Sequence, residues 1–178
     1  MARKFYVCFL FTCVTLLLNW VVWCIIWFDN ADNDSATAVM WSTIYLGLGV
    51  PGAWKLWYFP IYQNLRNNST ASWVLFFLVF GIHVIFVCLM ALGLPGMSGA
   101  GWFEFLKVVE TGDAWVGLTT LSAAICWTIL AIASCYLLKK AHLLWTGKGG
   151  EEALQKEASK AAVTVAIAGA AASNQAKF

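Results

Sequence analysis

Four long apolar stretches divide the chain, and short polar segments separate them. They cover residues of about 5–28, 36–54, 72–94 and 114–138. A helix that crosses a bilayer core of about 30 Å needs about 20 apolar residues, and each stretch has roughly that length. A cleaved signal peptide is the alternative for the first stretch. Because that stretch ends in Trp27, Phe28 and Asp29 rather than in small residues, we expect a retained span.

The second stretch is the only one interrupted by a cluster of helix-breaking residues, three glycines and a proline between positions 47 and 52. In a membrane, neighbouring helices can satisfy the backbone groups that such residues release. We therefore predict a kink at Pro51 and a close helix–helix approach at Gly47.

Composition agrees with membrane insertion. Apolar residues make up 61% of the 178 positions and charged residues 11%, which excludes a soluble enzyme, a disordered chain and a disulfide-stapled secreted domain. The net charge of +2 is small and scattered, so nucleic acid is not expected as a partner. No phosphate-binding, dinucleotide-binding or zinc motif occurs, and we predict no enzymatic activity, cofactor or metal site.

The distribution of charge predicts the orientation, since lysine and arginine mark the cytosolic side of a span. With both termini in the cytosol, the cytosolic pieces hold 10 of the 11 basic residues, and the outer loops hold 6 of the 9 acidic ones. The predicted fold class is an all-α membrane protein, a four-transmembrane-helix bundle with both termini cytosolic. Residues 1–142 form the membrane core, and 143–178 form a cytosolic tail with helical character.

An outer segment and the tail carry two further helical patterns. From Trp102 to Asp113, apolar residues recur at helical spacing beside charged ones, which predicts a short amphipathic helix. It lies either in the outer-leaflet interface or against the spans. The tail of 151–178 has a face of small residues, which suits packing on a helix of another protein.

Two polar residues, Asn19 and His83, fall inside spans and are expected to face the bundle interior. The spans contain no acidic residue, so an ion or proton pathway is disfavoured and helix–helix hydrogen bonding is the better interpretation. All six cysteines lie in spans, where small apolar packing residues are expected. Cys8 and Cys135, near the predicted cytosolic face, are candidates for palmitoylation.

The loop between the second and third spans carries the most distinctive pattern. Aromatic and basic residues cluster around a proline, as is typical of the membrane–water boundary. The proline favours an extended Phe59, and the basic residues fit anionic phospholipid headgroups. The residues expected to contact the bilayer are Lys55, Trp57, Tyr58, Pro60, Ile61, Tyr62 and Arg66.

This loop resembles the cytosolic loop of the secretory carrier membrane proteins, the SCAMP family, whose form is C-W-Y-R-P-[IVL]-Y-K-A-F-R. The chain is also similar to that family in the glycine-rich segment 93–102 and in the residues 138–142 after the fourth span. The resemblance implies a non-enzymatic tetraspan protein of post-Golgi and endosomal vesicle trafficking. It further implies a loop that binds phosphoinositides.

The chain departs from the family pattern in two places that bear on partners. Phe59 and Gln63 replace an arginine and a lysine, which weakens the implied phosphoinositide binding. No N-P-F motif occurs, and only four residues precede the first span, so we expect a short form that does not recruit EH-domain adaptors.

Three functions follow as alternatives. The first is SCAMP-like trafficking on Golgi-derived, endosomal or secretory vesicles, with the plasma membrane as a further location. The second is an accessory structural subunit of a larger membrane complex, such as a proton pump, that contacts the tail. The third, a small channel, is the least favoured because the spans lack ionisable residues other than His83.

Overall fold

The computed structural model describes residues 1–29, 33–67, 70–111 and 113–175, and within these ranges the regular structure is helical, with no strand. The all-α prediction is therefore confirmed. The elements are, in chain order, α1 (Ala2–Asp29), α2 (Asn33–Ala53), a π-helical turn (Trp54–Tyr58), α3 (Phe59–Asn67), α4 (Thr70–Leu92), α5 (Trp102–Thr111), α6 (Ala114–Thr146) and α7 (Gly150–Gln175).

Each predicted span coincides with a long helix, although three helices among the described residues are long and apolar enough to cross a membrane by length and composition. The three are α1, α4 and α6. Helix α2 has 21 residues, but glycine, serine and threonine dilute its apolar content. Helix α6 continues eight residues past the predicted end at residue 138, because Leu143 and Trp145 extend its apolar pattern beyond the two lysines.

The chain divides into two compact units, Met1–Lys139 and Lys140–Phe178, three residues before the boundary that the sequence suggested. In the first unit, large aromatic and aliphatic side chains from α1, α4 and α6 fill the interior. Among the fully buried ones are Phe5, Val22, Phe76, Phe80, Val87, Met90, Trp127 and Leu130. Other apolar side chains of the same helices remain exposed, as expected for helices that are apolar all round and meet lipid.

Helices α1 and α2 meet at a glycine, but not at the predicted one. A Cβ on Gly49 would lie 3.1 Å from Leu16 Cδ1 of α1, whereas a Cβ on Gly47 would have no neighbour within 4 Å. The close approach predicted at Gly47 therefore occurs two residues later. Two positions along a helix turn a side chain by about 200°, so Gly47 faces outward.

The second unit consists of the last residues of α6, a glycine turn and α7. Lys148 N–H donates to the Trp145 carbonyl at 3.1 Å, and Gly149 has a positive φ of 73°. A Cβ on Gly150 would collide with the Trp145 indole, so α7 begins against that ring. The helical tail is therefore confirmed for residues 150–175, and residues 176–178 lie outside the described ranges.

Candidate functional site

The segment predicted as a loop between the second and third spans is helical throughout its described part. Ala53 and Phe59, on either side of the π turn, both have right-handed helical angles, and Phe59 N–H donates to the Trp54 carbonyl five residues back. The extended conformation predicted for Phe59 is therefore wrong. Pro60 directly follows the π turn within this continuous helical run, so its missing N–H removes one backbone hydrogen bond there.

The π turn follows a second proline, Pro51, which lies inside α2 where the sequence predicted a kink. A proline in a helix interior removes one backbone hydrogen bond and crowds the preceding turn. The helical pattern changes from α to π three residues later, at Trp54. Single π turns are a usual cause of altered helix direction, and they often occur at functional positions.

One face of this segment points into the protein. Trp57 is 2% exposed and Ile61 0%, and Asn64 donates from Nδ2 to the Ser72 carbonyl at 3.0 Å. The spacings of four and three residues place these side chains on one side of a helix. The loop pattern predicts Trp57 and Ile61 among the lipid-contacting residues. In the helical segment both face the interior rather than lipid headgroups.

Aromatic contacts fix this inward face against α1 and α4. The Phe9 ring of α1 stacks on Tyr58, with centroids 5.5 Å apart. The Trp57 ring lies 5.0 Å from the Phe80 ring of α4 and 4.9 Å from the His83 ring. Such aromatic pairs stabilise packing by about 0.5–1.5 kcal/mol each beyond area burial. The segment is thereby held in one position on the bundle.

The opposite face is exposed and mixes cations with aromatic rings. Lys55 and Arg66 are exposed, while Phe59 and Tyr62 are 45% and 48% exposed. Tyr58 and Pro60 are half-buried between the two faces. The exposed set, Lys55, Phe59, Tyr62 and Arg66, is called the basic–aromatic face below. Sequence reasoning missed Phe59 as a member, and its spacing of four from Lys55 and three from Tyr62 was the available signal.

His83 differs from the expectation of helix–helix hydrogen bonding. Its Nε2 is buried and has no hydrogen-bond partner among the described residues, and the same holds for Nε1 of Trp57. The imidazole instead packs against the rings of Trp57 and Phe80, at centroid distances of 4.9 and 5.5 Å, and these two rings also contact each other. It is therefore a packing residue with an unsatisfied nitrogen, not a polar link between helices.

Asn19 is the centre of a buried polar junction. The amide is 1% exposed, donates from Nδ2 to the Ser98 carbonyl at 3.1 Å and accepts on Oδ1 from the Ala100 N–H at 2.8 Å. The indole N–H of Trp127 on α6 also donates to Oδ1, at 3.2 Å. Trp23 Nε1 donates to the same Ser98 carbonyl at 2.7 Å. Asn19 thus joins α1, α6 and the loop between α4 and α5.

The loop at this junction, residues 93–101, lies so close to neighbouring backbone at its two end glycines that a side chain would not fit there. Gly93 has a φ of 71°, and a Cβ built on it would lie 2.8 Å from the backbone of Gly101. A Cβ on Gly101 would collide with the Ala91 carbonyl. Ser98 adopts a φ of 52° without being a glycine. The two hydrogen bonds on its carbonyl hold that strained conformation in place.

The two candidate palmitoylation sites differ in their exposure. The Cys8 thiol is 5% exposed and lies 3.7 Å from the Ser134 hydroxyl of α6, so an acyltransferase has no access to it. That prediction does not fit the structure. Cys135 is exposed, and its palmitoylation stays a prediction.

Among the described residues, no group of three or more histidine, cysteine or acidic side chains is placed to hold a metal ion.

Comparison with known proteins identifies the family. The family model described as "SCAMP family" matches residues 1–148. The chain belongs to the SCAMP family. The resemblance seen in the sequence is therefore confirmed, and this SCAMP-family chain is a membrane protein with apolar helices.

Individual relatives agree with this assignment. Secretory carrier-associated membrane protein 3 of Mus musculus is 34% identical over 172 residues, which cover 92% of this chain and 48% of that protein. Secretory carrier-associated membrane protein 2 of Homo sapiens is 28% identical over 139 residues, which cover 76% and 41%. The chain therefore spans about half the length of these relatives. No solved structure matches it.

Proposed function

We propose that this chain is a non-enzymatic tetraspan protein of secretory and endosomal carriers. The relatives are named secretory carrier-associated membrane proteins, and membership of their family supports this role. The proposed locations are Golgi-derived, endosomal and secretory vesicles, and the plasma membrane with which such carriers fuse. In this proposal the protein acts by contact with lipid and with other membrane proteins.

The proposal includes α2 as the fourth span. Its 21 residues rise about 31 Å at 1.5 Å per residue, which matches the bilayer core. Met40, Ile44 and Leu48 form an apolar stripe at a spacing of four, with exposures of 51%, 37% and 70%. An exposed apolar stripe along the middle of a helix is favourable in lipid and unfavourable in water.

With four spans, the charge bias puts both termini and α3 in the cytosol and α5 on the outer side. Helix α5 then presents Phe103, Leu106 and Val109, each more than half exposed, to the outer-leaflet interface. Val108, on its other side, is buried against the bundle. This arrangement fits an interfacial amphipathic helix that is also packed on the spans.

The observation that carries the functional proposal is the basic–aromatic face of the π turn and α3. Its two rings are amphipathic or apolar, and its two cations flank them within three helical turns. A cation near an anionic membrane surface contributes about 1 kcal/mol, and aromatic rings favour the headgroup level. Because the inward face is fixed to α1 and α4, the basic–aromatic face is held rigidly for contact with anionic lipids of the cytosolic leaflet.

The test is the lipid selectivity of the reconstituted full chain. Electron spin resonance of spin-labelled phosphatidylserine and phosphatidylcholine measures the relative association of each lipid with the protein. We expect the Lys55→Gln, Arg66→Gln double variant to lose the preference for phosphatidylserine, by up to about 30-fold. Lys107→Gln, a matched change on α5, is expected to keep it. Equal selectivity of the wild-type chain and the double variant would refute the proposed lipid contact.

A second candidate function, an accessory subunit of a larger membrane complex, is favoured by α7. On one face this helix exposes Leu154 and Val165, by 39% and 71%, among small residues. Alanines beside these apolar side chains permit close approach of a partner helix. Gentle-detergent purification of the full chain tests this candidate. Co-purification at fixed stoichiometry that Leu154→Ser and Val165→Ser abolish would support it, and recovery of the chain without fixed partners would exclude it.

A further inference from the structure

A cavity of about 660 Å³ lies among α1, α2, α5 and the loop of residues 93–101. Its volume is within the range of sites that bind small molecules, about 300–1,000 Å³. The lining residue Trp23 is 14 residues from Phe9, or about 21 Å along α1. The cavity is therefore remote from the basic–aromatic face, and a ligand there would bind independently of the proposed lipid contact.

Three aromatic side chains contribute to the cavity wall. The indole of Trp23 and the side chains of Trp41 and Phe103 line it, with exposures of 7%, 42% and 52%. The Trp23 ring is fixed by its hydrogen bond to the Ser98 carbonyl at 2.7 Å. The negative face of an aromatic ring attracts a cation, and indole does so most strongly. The walls therefore suit a cation that brings apolar surface with it.

The charges that line the cavity leave a net negative charge. Asp34, Glu104 and Lys107 contribute two carboxylates and one ammonium. The Lys107 ammonium lies 3.7 Å from a Glu104 carboxylate oxygen, so these two charges offset each other. The Asp34 carboxylate, in the first turn of α2 and exposed, supplies the remaining negative charge. A cationic ligand group is thereby favoured over an anionic one.

The remaining wall is preformed. Gly93, Ser98 and Gly99 of the loop line the cavity. The loop is tied to α1 by Asn19 and Trp23, and its Gly99 and Gly101 lie against the backbone of α4. A rigid wall requires no ordering when a ligand enters, which lowers the entropic cost of binding.

The geometry points to a binding site for a trimethylammonium group, the cationic end of choline compounds, between the indoles of Trp23 and Trp41 with Asp34 as counter-charge. A primary ammonium is strongly hydrated and seeks hydrogen bonds, whereas a quaternary ammonium has an apolar shell and is recognised by aromatic rings. Free choline and phosphocholine carry this group, as does the headgroup of a choline phospholipid.

Two binding measurements on the full chain test the site and distinguish a free choline compound from a phospholipid headgroup as its ligand. In a maltoside detergent, saturation-transfer NMR with choline and phosphocholine is expected to label the N-methyl protons, and ethanolamine is the matched primary amine. In nanodiscs, native mass spectrometry compares retention of phosphatidylcholine with that of phosphatidylethanolamine. Preference for the choline compound in both arms supports the site, and preference in the lipid arm alone assigns it to a headgroup. No preference in either arm overturns the proposal.

Variants locate the binding. Trp41→Leu and Asp34→Asn change exposed side chains and are expected to weaken choline binding about fivefold each. Trp115→Leu and Glu110→Gln are matched exposed controls that do not line the cavity, and they should bind as the wild type does. A thermal melt of each variant establishes that it is folded. Equal weakening in the variants and their controls would place the binding elsewhere and overturn the assignment.

Discussion

Replacing Asn19 with leucine should strongly destabilise the bundle, although the two side chains are similar in size. The substitution leaves the Ala100 N–H and the Trp127 indole N–H without their acceptor. The Ser98 carbonyl loses one of its two donors and keeps Trp23. The leucine itself fits an interior that already contains Val22 and Leu16.

Two estimates of the loss agree. A buried polar group without a partner costs about 1–3 kcal/mol, which gives about 2–6 kcal/mol for the two N–H groups. Interhelical hydrogen bonds measured in membranes average about 0.6 kcal/mol and reach about 1.7, which gives about 2–5 kcal/mol for the three bonds of Asn19. We therefore expect the free energy of unfolding to fall by at least about 2 kcal/mol.

The assay is steric trapping of the full chain in bicelles, which measures the free energy of unfolding without denaturant. Thr15→Val is the matched control, because the buried Thr15 hydroxyl donates only to the Phe11 carbonyl of its own helix, at 2.8 Å. It should lose less than about 1 kcal/mol. Hydrogen exchange should quicken at residues 93–101 in Asn19→Leu alone. A loss in Asn19→Leu no greater than in Thr15→Val would refute the reasoning.

Three further predictions follow from single side chains. Gly49→Leu should destabilise the α1–α2 contact by about 1–3 kcal/mol in a thermal melt, while Gly47→Leu, with open space around it, should not. His83→Phe should leave stability unchanged or raise it by up to about 1 kcal/mol, because it removes an unsatisfied nitrogen from an aromatic stack. Incorporation of an alkyne-tagged palmitate should be lost in Cys135→Ser and retained in Cys8→Ser, and the reverse result would contradict the burial of Cys8.

The helices were predictable because a membrane imposes a simple requirement of about 20 apolar residues per crossing. The same reasoning could not show that residues 54–67 are helical. A residue before a proline prefers an extended conformation, and this local preference predicted an extended Phe59. Packing of Trp57 and Ile61 onto α1 and α4 outweighs the preference and keeps the segment helical. Tertiary contacts of this kind depend on residues distant in the chain, and a single sequence does not reveal them.

The glycines and the buried asparagine show the same contrast between what the sequence predicts and what tertiary contacts decide. Sequence showed that a polar residue at position 19 needs a partner, but the partners belong to a loop about 80 residues away. It also showed that glycines permit close helix contact, but not whether Gly47 or Gly49 faces α1, since this depends on the rotation of α2. Pattern thus identified the residue types that matter, and the fold determined which of them meet.

The position of α3 relative to the start of α2 decides whether four helices cross the membrane. In a cysteine-free background, Asp34→Cys places a single exposed thiol at the start of α2, and Gln63→Cys places one on α3, which follows α2 through the π turn. Labelling of intact and permeabilised vesicles with a membrane-impermeant maleimide reports the side of each thiol. We predict reaction of Gln63→Cys from the cytosolic side and of Asp34→Cys from the lumenal side only. Reaction of both from one side, or the inverse pattern, would contradict the four-span arrangement and the cytosolic position of the basic–aromatic face.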